Sequence, residues 1–111
     1  MKRIEAYIQV GKLDAVQNAL SNEGIQGLSV SQVRGYGRQM GNTGGTKSKA
    51  AVLLHKLKID VVVSDAKLDK AIEAIIGAAK TGEIGDGKIF VSDVQDAIRV
   101  RTDERGDAAL D

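Results

Sequence analysis

"HKLKIDVVVSDAKLDKAIEAIIGAAKTG", residues 55–82, changes its apolar period halfway along, and that change decides the fold. Leu57, Ile59, Val61 and Val63 recur at every second residue, which predicts a strand starting near Lys56. After Asp65, a predicted N-cap, Leu68, Ile72, Ile75, Ile76 and Ala79 recur at helical spacing, and the helix should stop at Thr81 and Gly82. Downstream, "KIFV" (88–91) reads as another strand, followed by a turn near Ser92 and Asp93 and a last extended segment, "AIRVRT" (97–102).

Upstream, residues 2 to 10 alternate, with Ile4, Ala6, Ile8 and Val10 on one face of a first strand. From Lys12 to Glu23 the spacing of Leu13, Val16, Ala19 and Leu20 is helical, and Gly24 sits where a helix ends. "IQGLSVSQVRGYG" (25–37) returns to β-favouring residues as strand two. "RQMGNTGGTKSKAA" (38–51) carries few apolar residues and is expected to be a solvent-exposed loop. The order is β-α-β-β-α-β, an α+β, ferredoxin-like arrangement with two helices on one face of an antiparallel sheet. The opposite face would be bare in a monomer. Apolar residues at both parities of strands one and three predict that it is buried against other copies of the chain.

A chain of 111 residues with 42% hydrophobic content suits one domain with its own core. Sixteen Lys and Arg against fifteen Asp and Glu leave no global charge to draw the chain to nucleic acid or an anionic membrane, so a bound anion needs a local cluster. Tyr7, Tyr36 and Phe90 are the only aromatic residues, a poor platform for stacking bases. There is no cysteine, which excludes disulfides and thiolate metal sites, and "MKRIEAYIQV" has no run long enough for a signal or spanning segment. The expected location is the cytoplasm, with no membrane insertion.

Catalysis finds little support. The single histidine, His55, has no carboxylate near it in sequence, and no nucleophile stands beside a base. "GNTGGTKS" (41–48) approaches a phosphate-binding GxxxxGK[ST] loop, but Thr46 replaces its second glycine and the chain has too few strands for a parallel-sheet nucleotidase. "GDGK" (85–88) is a stronger anion candidate: Gly85 and Gly87 allow backbone N–H groups to approach an oxyanion, and Lys88 adds a charge. By itself it reads first as a glycine turn joining the second helix to the strand that follows. Arg99 and Arg101, of one parity, and "GYGRQ", with Arg38 and Gln39 beside Gly35 and Gly37, would complete a triphosphate cradle if they converged on it.

Taken together, "KLDAVQNAL", "GIQGLSVSQVRGYGRQMG", "KLKIDVVVSD" and "TGEIGDGKIFVSDVQDAIRVRTDERGDAAL" resemble the PII nitrogen signal-transduction family over most of the chain, with the TG-x-IGDGKIFV and AIR-x-RT-x-ERG blocks the most specific. The resemblance implies a homotrimer of single ferredoxin-like domains spanning 1–111, with a flexible T-loop at about 37–55 and a tail at about 102–111. ATP or ADP would bind in clefts between subunits, held by Gly35, Gly37, Arg38 and Gln39, by Gly85, Asp86, Gly87 and Lys88, and by Arg99 and Arg101 from across the interface. Ser29, Asp60 and Val62 match positions that contact adenosine. Gln39, through Mg²⁺ on ATP, and Lys56 match a 2-oxoglutarate site, although Gln9 and Val10 stand where lysine and proline are common. The implied role is a non-enzymatic, nucleotide-gated regulator whose T-loop meets a membrane transporter, such as an ammonium channel, or a nitrogen-metabolism enzyme. The T-loop is about two residues shorter than usual and lacks the tyrosine that is modified in relatives, with Ser48 a weak substitute. A second reading keeps the trimeric fold as a small-molecule or metal sensor without nucleotide gating; the absence of cysteine and the single histidine weigh against metal.

Overall fold

The computed structural model describes residues 1–35 and 53–110. Its elements run β1 (Lys2–Ile8), α1 (Leu13–Asn22), β2 (Ser29–Gly35), β3 (Leu54–Val63), α2 (Leu68–Ala79) and β4 (Lys88–Asp93). The four strands form one sheet in the order β2-β3-β1-β4, with every neighbouring pair antiparallel. This is the ferredoxin-like arrangement that the change of period at residues 55–82 predicts.

Alternation along β1 and β3 puts Ile4, Ala6 and Ile8 beside Leu57, Ile59, Val61 and Val63 on one face of the sheet. Val16 and Leu20 of α1 and Ala71, Ile75 and Ala79 of α2 close over them, and among the described residues no polar one is buried with them. Truncating a fully buried member such as Ile59 to Ala removes its packing and leaves a cavity, at a cost of about 2–5 kcal/mol. Gly24 ends α1 as the sequence suggests. At φ +77° it lets its own N–H reach Ser21 O at 2.9 Å and Ile25 N–H reach Leu20 O at 3.0 Å, and Ile25 is carried into the core.

Several expectations are corrected. Val10 leaves the strand in a short 3₁₀ turn, Val10–Lys12, and is exposed, because the chain must turn there to enter α1. Asp65 does not cap α2; it lies in a 3₁₀ turn, Asp65–Lys67, and its carboxylate accepts the N-terminal ammonium of Met1 at 2.9 Å. Ile76 faces solvent although its spacing fits the buried stripe. β4 continues through Ser92 and Asp93, since both pair with β1.

The open face of the sheet is also unlike the expectation. Its β1 positions are Arg3, Glu5 and Tyr7, aligned with Val62, Asp60 and Lys58 of β3 and with Ser92, Phe90 and Lys88 of β4. Arg3 donates to both Asp60 oxygens, and Lys58 Nζ lies 3.2 Å from Glu5 Oε2. This pairing with Arg3 holds the Asp60 carboxyl below its ordinary range. Apart from Val33, Leu54, Val62 and the edge-to-face pair Tyr7 and Phe90, the described part of the face is a ladder of charges and small polar groups, so a partner on it meets ion pairs as well as apolar surface.

Candidate functional site

The candidate residues fall into two groups at opposite ends of this sheet. The first surrounds the glycine loop between α2 and β4. Gly82, Gly85 and Gly87 all take positive φ, at 89°, 109° and 103°. At Gly87 a second constraint applies: a Cβ there would lie 1.6 Å from the carbonyl oxygen of Tyr7, so the loop rests directly on the backbone of β1. Asp86 does not point outward to a ligand. Its carboxylate accepts the N–H groups of Thr81 and Gly82, each at 2.8 Å, and the Thr81 hydroxyl. These bonds, led by the Thr81 hydroxyl, hold Asp86 below the ordinary carboxylate value, with the charge of Lys12 adding to the effect.

The loop is also tied to the root of the long connection. Lys56 Nζ donates to Gly85 O at 2.8 Å, and Gln9 Nε2 lies 3.4 Å from both Gly85 O and an Asp86 oxygen. Lys56 aligns with Val33, two positions from where Gly35 aligns with Leu54, so one lysine links the glycine loop to the ends of β2 and β3. Lys88 opens β4 with its side chain exposed, and that side chain makes no hydrogen bond or ion pair with another described residue. Gly37, Arg38 and Gln39, and with them Ser48, lie outside the described residues.

The second group sits at the far end. Ser29 and Asp60 are cross-strand neighbours, and Val62 follows on the same face of β3, six residues from Lys56 and so roughly 20 Å along the strand. Beside Val62 a pocket of about 250 Å³ is bordered by Gly27, Ser64, Lys67 and Asp107. Asp107 belongs to a final 3₁₀ turn, Gly106–Leu110, which packs against β3.

The segment "AIRVRT" is not extended. It turns back at Val100, with Arg99 N–H on Glu104 O at 2.9 Å, Asp103 N–H on Arg99 O at 2.8 Å and Gly106 N–H on Ala97 O at 3.0 Å. Asp103 takes φ 64° to complete the reversal. The parity that predicted a common side for Arg99 and Arg101 therefore does not apply. The Arg99 guanidinium donates to Glu104 Oε1 and to Ala108 O, both at 3.2 Å, while Arg101 stands exposed at the tip and pairs with no other described residue. Asp96 fastens the base, accepting from Ala97 N–H, Gly106 N–H and Arg105 at 2.8–3.2 Å. Within one chain Arg99 is thus tied through Ala108 to the final 3₁₀ turn that packs against β3.

Sequence reasoning missed Thr81, Asp96, Glu104 and Arg105 as organisers of these loops. The side-chain pairs, five residues apart for Thr81 with Asp86 and Arg99 with Glu104 and nine for Arg105 with Asp96, match no helical or strand period, so only the family blocks in which they lie could have drawn attention to them. Among the described residues no group of histidine and carboxylate side chains could hold a metal, and no helix is long and apolar enough to cross a membrane.

Comparison with known proteins agrees with this geometry. A family model described as "Nitrogen regulatory protein P-II" matches residues 1–104. The chain is 53% identical to "Nitrogen regulatory protein P-II" of Rhodobacter capsulatus, with 99% of this chain and 100% of that protein covered. It is 51% identical to the protein of the same description in Cereibacter sphaeroides, over the same shares. Among solved structures, that of Arabidopsis thaliana PII bound to citrate superposes with a TM-score of 0.82 at 39% identity, covering 98% of this chain and 88% of that one.

Proposed function

We propose, since the chain belongs to the nitrogen regulatory protein P-II family and is therefore a regulator and not an enzyme, that it binds ATP or ADP in clefts formed between copies of itself. The observation that carries this reading is the division of the candidate residues between two ends of one sheet. Lys88 stands in the strand row of Tyr7 and Lys58, whereas the hairpin that carries Arg101 is tied to the final 3₁₀ turn beside β3, and head-to-tail association would bring one chain's glycine loop to the next chain's hairpin. Such an interface closes into a ring, and the homotrimer is the closed ring this reading adopts.

The residues fit the ligand. Gly85 and Gly87 leave the loop backbone bare for close approach of phosphate oxygens, and Lys88 and Arg101 are cations with no internal partner among the described residues. Ser29, Val62 and the adjoining pocket would take the adenosine. Asp60 would do so only by sharing its carboxylate with Arg3. Gly37, Arg38 and Gln39 join the cleft by position in sequence, with Gln39 the residue to reach Mg²⁺ on the triphosphate.

Lys56 gives the reading its regulatory step. Its ammonium has three donors and uses one on Gly85 O, so it can also receive a carboxylate such as that of 2-oxoglutarate while still touching the glycine loop. Phosphate on the loop and carboxylate on Lys56 would then bias the connection that starts at Gly35, and that connection, the T-loop, would dock on a membrane transporter or a metabolic enzyme. Calorimetric titration with ATP and ADP, with and without Mg²⁺ and 2-oxoglutarate, tests this. ATP binding that tightens with 2-oxoglutarate, and the reciprocal, is the expected result; no binding of either nucleotide would overturn it.

A further inference from the structure

Asp86 is the only aspartate or asparagine of the chain that a glycine follows. With no side chain on residue 87 to obstruct it, the Gly87 amide nitrogen can close on the side chain before it, so an Asp-Gly pair readily rearranges its own backbone. In that reaction Gly87 N bonds to Asp86 Cγ, and the hydroxyl of the neutral carboxyl group leaves with the amide proton as water. Water then opens the succinimide ring. Breaking the bond to Cγ restores aspartate, whereas breaking the bond to the main-chain carbonyl carbon leaves isoaspartate, with the chain running through Cβ and Cγ. One water is lost and one regained, and no other reagent is needed.

We infer that Asp86 and Gly87 form a latent isoaspartate site that the fold keeps closed, and that Thr81 is the residue that keeps it so. Both carboxylate oxygens of Asp86 are held. Oδ2 accepts the N–H groups of Thr81 and Gly82, each at 2.8 Å, and Oδ1 accepts the Thr81 hydroxyl, with Gln9 Nε2 3.4 Å away. To reach Gly87 N, Cγ must leave these donors and its carboxylate must take up a proton. The same bonds, the Thr81 hydroxyl first, hold the group ionised. Gly87 is no freer, since at φ 103° it rests against β1 so closely that an added Cβ would lie 1.6 Å from Tyr7 O. Isoaspartate adds one carbon to the main chain just before that contact. Rearrangement therefore requires the loop to open, and its product keeps the loop from settling back.

The test is ageing of the full chain at neutral pH and physiological temperature, with isoaspartate at residue 86 counted by peptide mass spectrometry and by isoaspartyl methyltransferase labelling. Folded protein should accumulate it at least about tenfold more slowly than the same chain unfolded in guanidinium chloride. Thr81→Val keeps the backbone N–H but removes the hydroxyl, and should speed accumulation about fivefold or more; Thr81→Ser should restore the slow rate. A thermal melt before ageing establishes that each variant is folded, and Thr81→Ala serves in place of Thr81→Val should valine prevent folding. Equal rates in folded and unfolded chain would overturn the inference, as would an unchanged rate in the folded variant that lacks the hydroxyl. A consequence for ATP rests on the nucleotide reading above: chains carrying isoaspartate at residue 86 should lose ATP binding. Retention of ATP by those chains would count against that reading's use of the glycine loop, while the isoaspartate counts still decide the site.

Discussion

The two ends of the sheet each carry a short loop gathered around an aspartate, but they are made rigid by different means. At the glycine loop, Asp86 collects two backbone N–H groups and the Thr81 hydroxyl, and the shape is set by glycines with positive φ pressed onto β1. At the C-terminal hairpin, Asp96 and Glu104 draw in Arg105 and Arg99, so the shape is set by charged side chains paired across five to nine residues. A loop shaped by its backbone tolerates no added Cβ at its tightest point. One shaped by ion pairs tolerates backbone change better and responds to charge.

Gly87→Ala should show the largest effect. The new Cβ meets a carbonyl oxygen of β1 on top of an unfavourable φ, so a loss of about 3 kcal/mol or more is expected in chemical denaturation. A near-neutral Gly87→Ala would break the contrast between the two loops. Next come the exposed cations: Lys88→Ala should reduce ATP affinity by about 2 kcal/mol or more, with little change in Tm, because the side chain makes no hydrogen bond or ion pair with another described residue. Gly82→Ala should cost about 1 kcal/mol, since its φ is positive but nothing lies within 4 Å of the added carbon.

The smallest effects are electrostatic. Asp86 and Asp96 both have pKa values below the ordinary 3.8, through their hydrogen bonds to Thr81 and Arg105 in the first place. Their folded-state pKa values are depressed, so the stabilisation is complete above the ordinary value and disappears as pH falls through the lowered ones. Asp86→Asn and Asp96→Asn should each flatten the acid limb of a Tm-against-pH curve. Added salt should shift Tm less in Asp86→Asn than in unmodified protein only if the glycine loop, against expectation, also depends on charge pairing.

How much of this was legible in sequence follows from the same contrast. The strands and helices were, because Ile4, Ala6 and Ile8, and Leu57 to Val63, repeat the period of the surface they bury. The glycine loop was legible in part, since glycines mark positive φ, although that Gly87 is needed for contact with Tyr7 O depends on a neighbour 80 residues away in sequence. The hairpin was misread as extended. Arg99 and Arg101 share a parity, but hydrogen bonds accepted by Glu104 and Asp96 fold the segment back, and no local pattern encodes them. Val10 and Ile76 were misplaced for a simpler reason: apolar residues at a correct spacing still lose to the direction the chain must take at an element's end or edge.

The central claim is that each nucleotide site takes its glycine loop from one chain and its arginine from another. Mixing Lys88→Ala and Arg101→Gln chains by co-refolding and titrating the mixture with ATP tests it most directly. Neither variant alone should bind well, whereas random mixed rings should regain high-affinity sites at about one cleft in four, where an intact Lys88 from one chain meets an intact Arg101 from its neighbour. No recovery in mixtures shown to contain both chains in one ring would contradict the account.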